Sequence, residues 1–402
     1  MEQNGSRKFI LVIGGLGFIG SHTSLELLKA GYNVVIVDNL SNSFESVFSR
    51  IRMLAAEHHR GSGGDMPALH LHKIAYQSES MQFLLDMYSV PAGCKRQRRG
   101  PEVVPADGRE GSAGATRQSR ISGVIHFAAS KSVSESISRP IQYYRNNVCG
   151  LVDLVELLGQ YNIRNLVFSS SATVYGSKAD KGRPLREEDL VHETETYVDG
   201  DGKAAVAEPA VAGLQSPYAR TKYFCEAILA DIARSDPAWR IVCLRYFNPV
   251  GCDSSGQLGE DPKGTPTNLF PVMTQVLTGA IQELSIFGSD WGTRDGTAVR
   301  DFVHVSDVAR GHIAALASEA EAPFRTYNLG SGTGTTVVEA VQSLEAAARR
   351  PIPVSRVGRR VGDVGFCVAS NERAAQELGW AAQESIPKCA EDLWRFVSKE
   401  VV

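Results

Sequence analysis

The sequence predicts an α/β protein in which a doubly wound parallel sheet is followed by a smaller α/β unit. Three observations carry this. Short β-branched runs alternate with helix-length periodic segments through the first 250 residues. A glycine-rich turn joins the first run to the first helical segment, and from about Pro249 the texture shifts to Gly-, Pro- and Asp-rich loops with shorter elements.

The strand candidates are Phe9–Ile13, Asn33–Asp38, Leu69–Ile74, Gly123–Ala129, Asn165–Ser171 and Arg240–Asn248, with Thr326–Gly330 returning as a further strand. Amphipathic stretches such as Ser21–Ala30, Gly150–Tyr161 and Pro217–Ser235 lie between them. Strands that are apolar throughout are covered on both faces, as in a parallel sheet between two helical layers. Residues 1–248 are therefore assigned to the sheet-forming domain. Residues 249–402 form a second domain closing over the mouth of the sheet, with about 304–330 returning to the first. Two stretches read as insertions. Pro91–Arg120 has seven basic and three acidic residues without periodicity, and Lys178–Gln215 is acidic with Gly-rich patches. Both are expected to be surface loops or partly disordered. The first is a lineage-specific loop or translated non-coding sequence, which peptide mass mapping would separate.

A chain of 402 residues can bury a large core. Its formal charge of −3 provides no footprint for nucleic acid, so an anionic ligand needs a local basic site. The seven cysteines are scattered without a C-x-x-C pair, which argues against a metal or redox centre and for a reducing compartment. Phe9–Ile13 runs straight into a glycine turn with no small-residue cleavage site, so it reads as a strand, not a signal peptide. No apolar run approaches the ~18–20 residues that span a bilayer. A cytoplasmic location without membrane contact is expected.

Gly14-Gly15-Leu16-Gly17-Phe18-Ile19-Gly20 lies where the first strand gives way to a helix. Glycines there let the chain turn sharply and let backbone N–H groups approach a pyrophosphate at the helix N-terminus. Asp38 ends the next strand, eighteen residues beyond Gly20. A carboxylate at that place accepts both ribose hydroxyls and repels a 2′-phosphate, which favours NAD over NADP. The first domain is thus expected to be of the Rossmann type.

Ser216-Pro217-Tyr218-Ala219-Arg220-Thr221-Lys222 reads as a helix start, with Ser216 as N-cap and Pro217 at the first helical position. Tyr218 and Lys222 then share a face. A free tyrosine, with its pKa near ~10, is a poor base at neutral pH. A nearby ammonium, a cationic nicotinamide and a helix N-terminus would each favour the phenolate.

The glycine turn and this helix together resemble the extended branch of the short-chain dehydrogenase/reductase superfamily. That resemblance puts a third site residue at Ser171, at the end of the preceding strand. Phe168-Ser169-Ser170-Ser171-Ala172-Thr173-Val174-Tyr175-Gly176, Arg245-Tyr246-Phe247-Asn248-Pro249-Val250-Gly251, Gly259-Glu260-Asp261-Pro262 and Val299-Arg300-Asp301-Phe302-Val303-His304-Val305 look like the UDP-glucose 4-epimerase family. The similarity covers nearly the whole chain apart from the two insertions.

What the resemblance implies is specific. Tyr218, Lys222 and Ser171 are catalytic. NAD contacts fall on Gly14, Gly17, Phe18, Ile19, Gly20, Asp38, Asn39, Asn42, Ser43, Phe127, Ala128, Lys131, Asn146, Tyr218, Lys222 and Tyr246. Substrate contacts fall on Lys131, Ser171, Tyr218, Asn248, Asn268, Leu269, Phe287, Arg300, Arg360, Asp363 and Cys367. Two guanidinium forks suit a diphosphate. The reaction implied oxidises C4 of a UDP-linked sugar, turns the keto sugar over and reduces its other face. A homodimer is implied too.

Two departures stand out. Ala75 replaces an aspartate expected at the end of the third strand to contact adenine, which would weaken cofactor retention by ~1.5–3 kcal/mol. Cys367 stands where some relatives have a bulky tyrosine, leaving room for an N-acetyl group. UDP-GalNAc and UDP-GlcNAc are therefore expected as additional substrates. Ala172 and Thr173 replace the acid/base pair of the 4,6-dehydratases and argue against that chemistry. UDP-pentoses or UDP-glucuronate as substrates, or a silent NAD-sensing scaffold, remain as alternatives.

Overall fold

Seven of the apolar runs form one sheet in the computed structural model, which describes residues 8–91, 117–264, 266–319, 322–360 and 363–400. The order across the sheet is Phe324–Leu329, Arg240–Tyr246, Asn165–Ser169, Ile121–His126, Phe9–Ile13, Asn33–Val37 and Leu69–His72. Every pairing is parallel. Chain order reverses between Phe9–Ile13 and Ile121–His126, and such a reversal opens a crevice at the carboxyl ends of the strands.

The strand period of two sorts the apolar side chains into two layers. Leu11, Ile13 and Val35 pack with Leu154, Leu158 and Leu229 of helices Gly150–Gln160 and Pro217–Ser235. Ile10, Val12 and Ile36 pack with Leu25, Ile51 and Val308 of helices Phe18–Lys29, Ser46–Ser62 and Val305–Ala317. Each such side chain contributes about 1.5–3 kcal/mol by leaving water, which is why Phe9–Ile13 is apolar along its whole length.

Beyond Tyr246 a second set of elements surrounds its own core. Val299–His304 takes Asn248–Val250 and Phe366–Cys367 as parallel neighbours and Gly334–Thr336 as an antiparallel one. Leu284–Phe287 pairs with Val354–Val357. Phe270, Ile286, Phe302, Leu344, Leu393 and Phe396 fill the space between these strands and helices Leu269–Leu277, Val337–Ala348 and Ile386–Glu400.

Two expectations change. The stretch 178–215 is not a bare surface loop. It holds the antiparallel hairpin Glu195–Val198/Ala204–Ala207, and Glu187 within it is only 2% exposed. Its acidic residues dock because Arg373 reaches Glu188 at 3.0 Å and Glu195 at 2.9 Å, so the charges are matched inside the fold. The third strand also stops at His72, two residues before Ile74. Ala75 therefore belongs to a turn, its carbonyl accepting from the backbone N–H of Ser78 at 3.0 Å and from that residue's hydroxyl at 2.7 Å. Most of 91–120 lies outside the described residues; its flanks Ser89–Pro91 and Arg117–Ser119 pair as an antiparallel ladder. Among the described residues no helix is long and apolar enough to cross a membrane.

Candidate active site

The glycine turn sits at the crevice. Gly14 has φ +78°, and a Cβ there would stand 2.8 Å from the Ala128 nitrogen at the end of the fourth strand. Phe127 and Ala128 both donate their backbone N–H to the Ile13 carbonyl, at 2.8 and 3.1 Å, which clamps that strand end against the turn. Gly17 opens helix Phe18–Lys29 without any side-chain cap. A Cβ on Gly17 would meet nothing nearer than the Gly14 carbonyl oxygen at 3.5 Å, so the space over this helix end is open. An uncapped, open N-terminus suits a pyrophosphate. Asp38 is buried beside it, accepting from Leu16 N–H at 3.0 Å, Leu40 N–H at 2.9 Å and the Ser43 hydroxyl at 2.8 Å. Asn39 and Asn42 are exposed on the following loop. These residues fit a dinucleotide.

Helix Pro217–Ser235 starts as its sequence dictates, the Ser216 hydroxyl accepting from Ala219 N–H at 3.1 Å. Tyr218 and Lys222 are both buried on it. The Ser171 hydroxyl accepts from the Thr173 N–H at 3.3 Å and is near enough to the Tyr218 phenol to favour its ionised form. Tyr246 lies beside Tyr218. Lys222 donates at 2.6 Å to the Ser169 carbonyl and stands 4.7 Å over the Phe168 ring.

The electrostatics correct one expectation. Burial pushes Tyr218 up to about 12, with only the Ser171 hydroxyl opposing. Burial also pulls Lys222 down to about 8. The ammonium is held by a backbone carbonyl, not directed at the phenol, so within the protein alone desolvation dominates and Tyr218 stays protonated at neutral pH.

A cationic corner lies across the crevice. Arg300 is half-buried, and its Nη1 donates to the carbonyls of Val299 at 3.0 Å and Val364 at 2.9 Å. Burial lowers its pKa from the ordinary value, with Cys367 and Asp363 opposing. Arg360 stacks 4.5 Å over Phe287 and makes a forked pair with Asp363 at 3.0 and 3.4 Å. Cys367 is in register with Arg300, and its thiol is pushed up to about 11 by burial. It packs in one cluster with Ala172 and Tyr175 from the turn that follows Ser171. The turn that follows Ser171 and the arginine corner therefore share a wall. Asn248 starts a strand two residues after Tyr246, while Asn268 stands exposed just before helix Leu269–Leu277 without a side-chain capping bond and Leu269 is half-buried.

The model of the NAD dependent epimerase/dehydratase family matches residues 10–330. The chain belongs to that family. It is 40% identical over 393 residues to UDP-glucose 4-epimerase 2 of Arabidopsis thaliana, covering 97% of this chain and 95% of that one. It is 39% identical over 392 residues to the human UDP-glucose 4-epimerase, covering 96% and 95%. Among solved structures, UDP-glucose 4-epimerase from Bifidobacterium longum, in complex with NAD+ and UDP, superposes with a TM-score of 0.77 at 35% identity, covering 98% of each chain. The Stenotrophomonas maltophila enzyme, with bound NAD and formylated UDP-arabinopyranose, gives 0.79 at 34%, covering 98% and 99%.

Within this epimerase/dehydratase scaffold some predicted residues stand apart. Lys131 is 52% exposed at its side chain and pairs with Glu260 at 3.0 Å. Asn146 accepts from the Gln77 amide at 2.8 Å in the π-helical turn Tyr144–Cys149. Its neighbour Asn147, which sequence reasoning missed, is buried and donates to the Ser130 carbonyl at 3.0 Å and to Thr221 Oγ1 at 3.1 Å, tying the loop after the fourth strand to helix Pro217–Ser235. The paired asparagines just ahead of the amphipathic segment Gly150–Tyr161 were the available signal. His312, also missed, packs 4.6 Å from Phe127 and pairs with the Ser169 hydroxyl at 3.1 Å. Among the described residues no cluster of three or more His, Cys, Asp or Glu could hold a metal.

Proposed function

We propose that this chain interconverts UDP-galactose and UDP-glucose using bound NAD. The observation that carries the reading is Tyr218 with Ser171 at the crevice of an open glycine turn, facing the Arg300 corner. When bound, the nicotinamide supplies a reversible hydride acceptor at C4 of the sugar, so no net oxidation results. Tyr218 takes the proton of the sugar O4 and later returns it. Ser171 orients that oxygen through its hydroxyl. Arg300, and Arg360 once released from Asp363, pair with the diphosphate and keep the nucleotide in place while the keto sugar turns over. Lys222 holds the strand end through Ser169 and adds positive charge behind Tyr218. Lys131, drawn from Glu260, is assigned to the sugar phosphate. Residues 1–248 hold NAD and 249–402 the UDP-sugar.

The small Cys367 side chain supports activity on UDP-GalNAc and UDP-GlcNAc as well. The homodimer reading is supported by Ile137, Ile141 and Phe224, apolar and exposed on neighbouring helical segments. The cytoplasm is the compartment proposed, and sedimentation of the purified protein tests the dimer. A coupled assay of the purified protein on UDP-galactose, UDP-GalNAc, UDP-arabinose and UDP-glucuronate tests the rest. Turnover of UDP-galactose with Tyr218→Phe inactive is the expected result, and no turnover of UDP-galactose would refute the assignment.

A further inference from the structure

The catalytic helix continues its reactive face one turn beyond Lys222. Tyr218, Lys222 and Glu226 follow at four-residue steps and so lie along one side. Glu226 and Arg245 are both 0% exposed. Glu226 Oε1 accepts from the Ser170 hydroxyl in a short contact and from Arg245 Nε at 3.1 Å. Its Oε2 accepts from Arg245 Nη2 at 2.7 Å and from His192 Nε2 at 2.8 Å. Arg245 Nη1 donates to the Tyr175 hydroxyl at 3.1 Å, which in turn donates to Asn328 Oδ1 at 2.7 Å. The carboxylate is thus satisfied on both oxygens inside a closed network.

A buried ion pair is weak grounds for stability, since an apolar pair of equal volume often serves as well. What this pair does is set its neighbours. Ser170 is anchored twice, by its N–H to the Leu244 carbonyl at 2.8 Å and by its hydroxyl to Glu226. The next residue is Ser171, whose hydroxyl lies near enough to the Tyr218 phenol to favour its ionised form. The charges around Lys222 can also be counted. Cys225 on the same helix and Cys243 on the adjoining strand are pushed up by burial and stay neutral. His126 is pulled down to about 3 by burial and is neutral too. Burial opposes ionisation of Glu226, but Arg245 and His192 outweigh it and hold the carboxyl well below the usual range. Glu226 is therefore the anion that Lys222 faces.

We propose that Glu226 is a positioning residue of the reaction: through Ser170 it sets the Ser171 hydroxyl against Tyr218, and one helical turn from Lys222 it keeps that ammonium charged. The inference rests on the catalytic reading of Tyr218 and Ser171 given above. Its test uses three variants of the full chain, assayed on UDP-galactose for kcat, KM and the pH dependence of kcat. Glu226→Gln alone leaves Arg245 buried and unmatched, so Glu226→Gln with Arg245→Met is the informative form. It removes both charges at similar volume. Loss of the anion lowers the pH at which Lys222 deprotonates, because burial then acts unopposed by Glu226. The double variant should fold, lose about tenfold or more in kcat with KM within about twofold, and show its alkaline limb at lower pH. Ser170→Ala should lower kcat several-fold without moving that limb. A folded double variant with the parent kcat and the parent alkaline limb overturns the proposal. If the double variant does not fold, Ser170→Ala decides, and an unchanged kcat overturns it. A parent chain inert toward UDP-galactose refutes the proposed function and this inference with it.

Discussion

A methyl group on Gly20 would be driven into the carbonyl oxygen of Gly14, far inside van der Waals contact, whereas one on Gly17 would meet that same oxygen at 3.5 Å. The two glycines thus serve different ends. Gly20→Ala should destabilise the chain by about 1–3 kcal/mol, as overpacking does. Gly17→Ala should leave thermal unfolding nearly unchanged and cost at least about tenfold in NAD affinity, because its methyl enters the space open to the pyrophosphate. Thermal melts with and without NAD distinguish them.

Tyr218→Phe should lower kcat on UDP-galactose by about 100- to 10,000-fold, the usual range for a positioned acid/base group. NAD binding, read by its protection in a thermal melt, should persist. Retained turnover would remove Tyr218 from the proton transfer.

Arg300 is half-buried, and its Nη1 donates to two backbone carbonyls. Arg300→Met should therefore fold at least as well as the parent, since it removes a desolvated cation. UDP affinity should fall by about 10- to 100-fold, equivalent to roughly 1.5–3 kcal/mol for a hydrogen bond to a charged group. Arg300→Lys should recover little, because a point charge does not reproduce the fork. Calorimetric titration with UDP reads all three proteins.

Glu187 is raised to about 7 by burial, with Arg373 opposing. Its folded pKa exceeds its unfolded value, so the contribution it makes is present below about pH 4.5 and is lost as pH rises through 7. Glu187→Gln keeps an acceptor for Asn328 N–H, which the native carboxyl meets at 2.7 Å. The variant should gain about 1–3 kcal/mol over the parent at pH 8 and little at pH 4.5, measured by urea unfolding at both.

Cys367→Tyr should suppress turnover of UDP-GalNAc by about tenfold or more while leaving UDP-galactose turnover within a few-fold. Equal losses on both sugars would show that the position does not read the C2 substituent.

The seven-stranded sheet was legible because its central strands Phe9–Ile13 and Asn33–Val37 are near-continuous apolar runs followed by turn residues. Tyr218 and the glycine turn were legible because their geometry is local: an N-cap serine, a first-turn proline, a strand followed by a helix. The third strand was drawn too long because Ile74 continues an apolar rhythm that the Ala75 turn interrupts. What stayed hidden depends on partners distant in the chain. Arg245 meets Glu226 only across a strand and a helix, and Lys131 meets Glu260 after 129 residues. Lys222 is held by a backbone carbonyl, which no side-chain pattern announces. The burial of Glu187 arises from Arg373 and Asn328, both far downstream.

The strand Phe324–Leu329 hydrogen-bonds to Arg240–Tyr246 along six residue pairs, yet some eighty residues of the second set of elements separate them in the chain. Ending the polypeptide at Phe247 would strip that neighbour away and leave Arg240–Tyr246, with its apolar Val242, Cys243 and Leu244, as a naked rim. Such a rim recruits other chains. The half that carries the glycine turn is thus not a separable cassette: a gene trimmed to it should give insoluble product, and a frameshift anywhere before Phe324 should forfeit the first half of the protein along with the second.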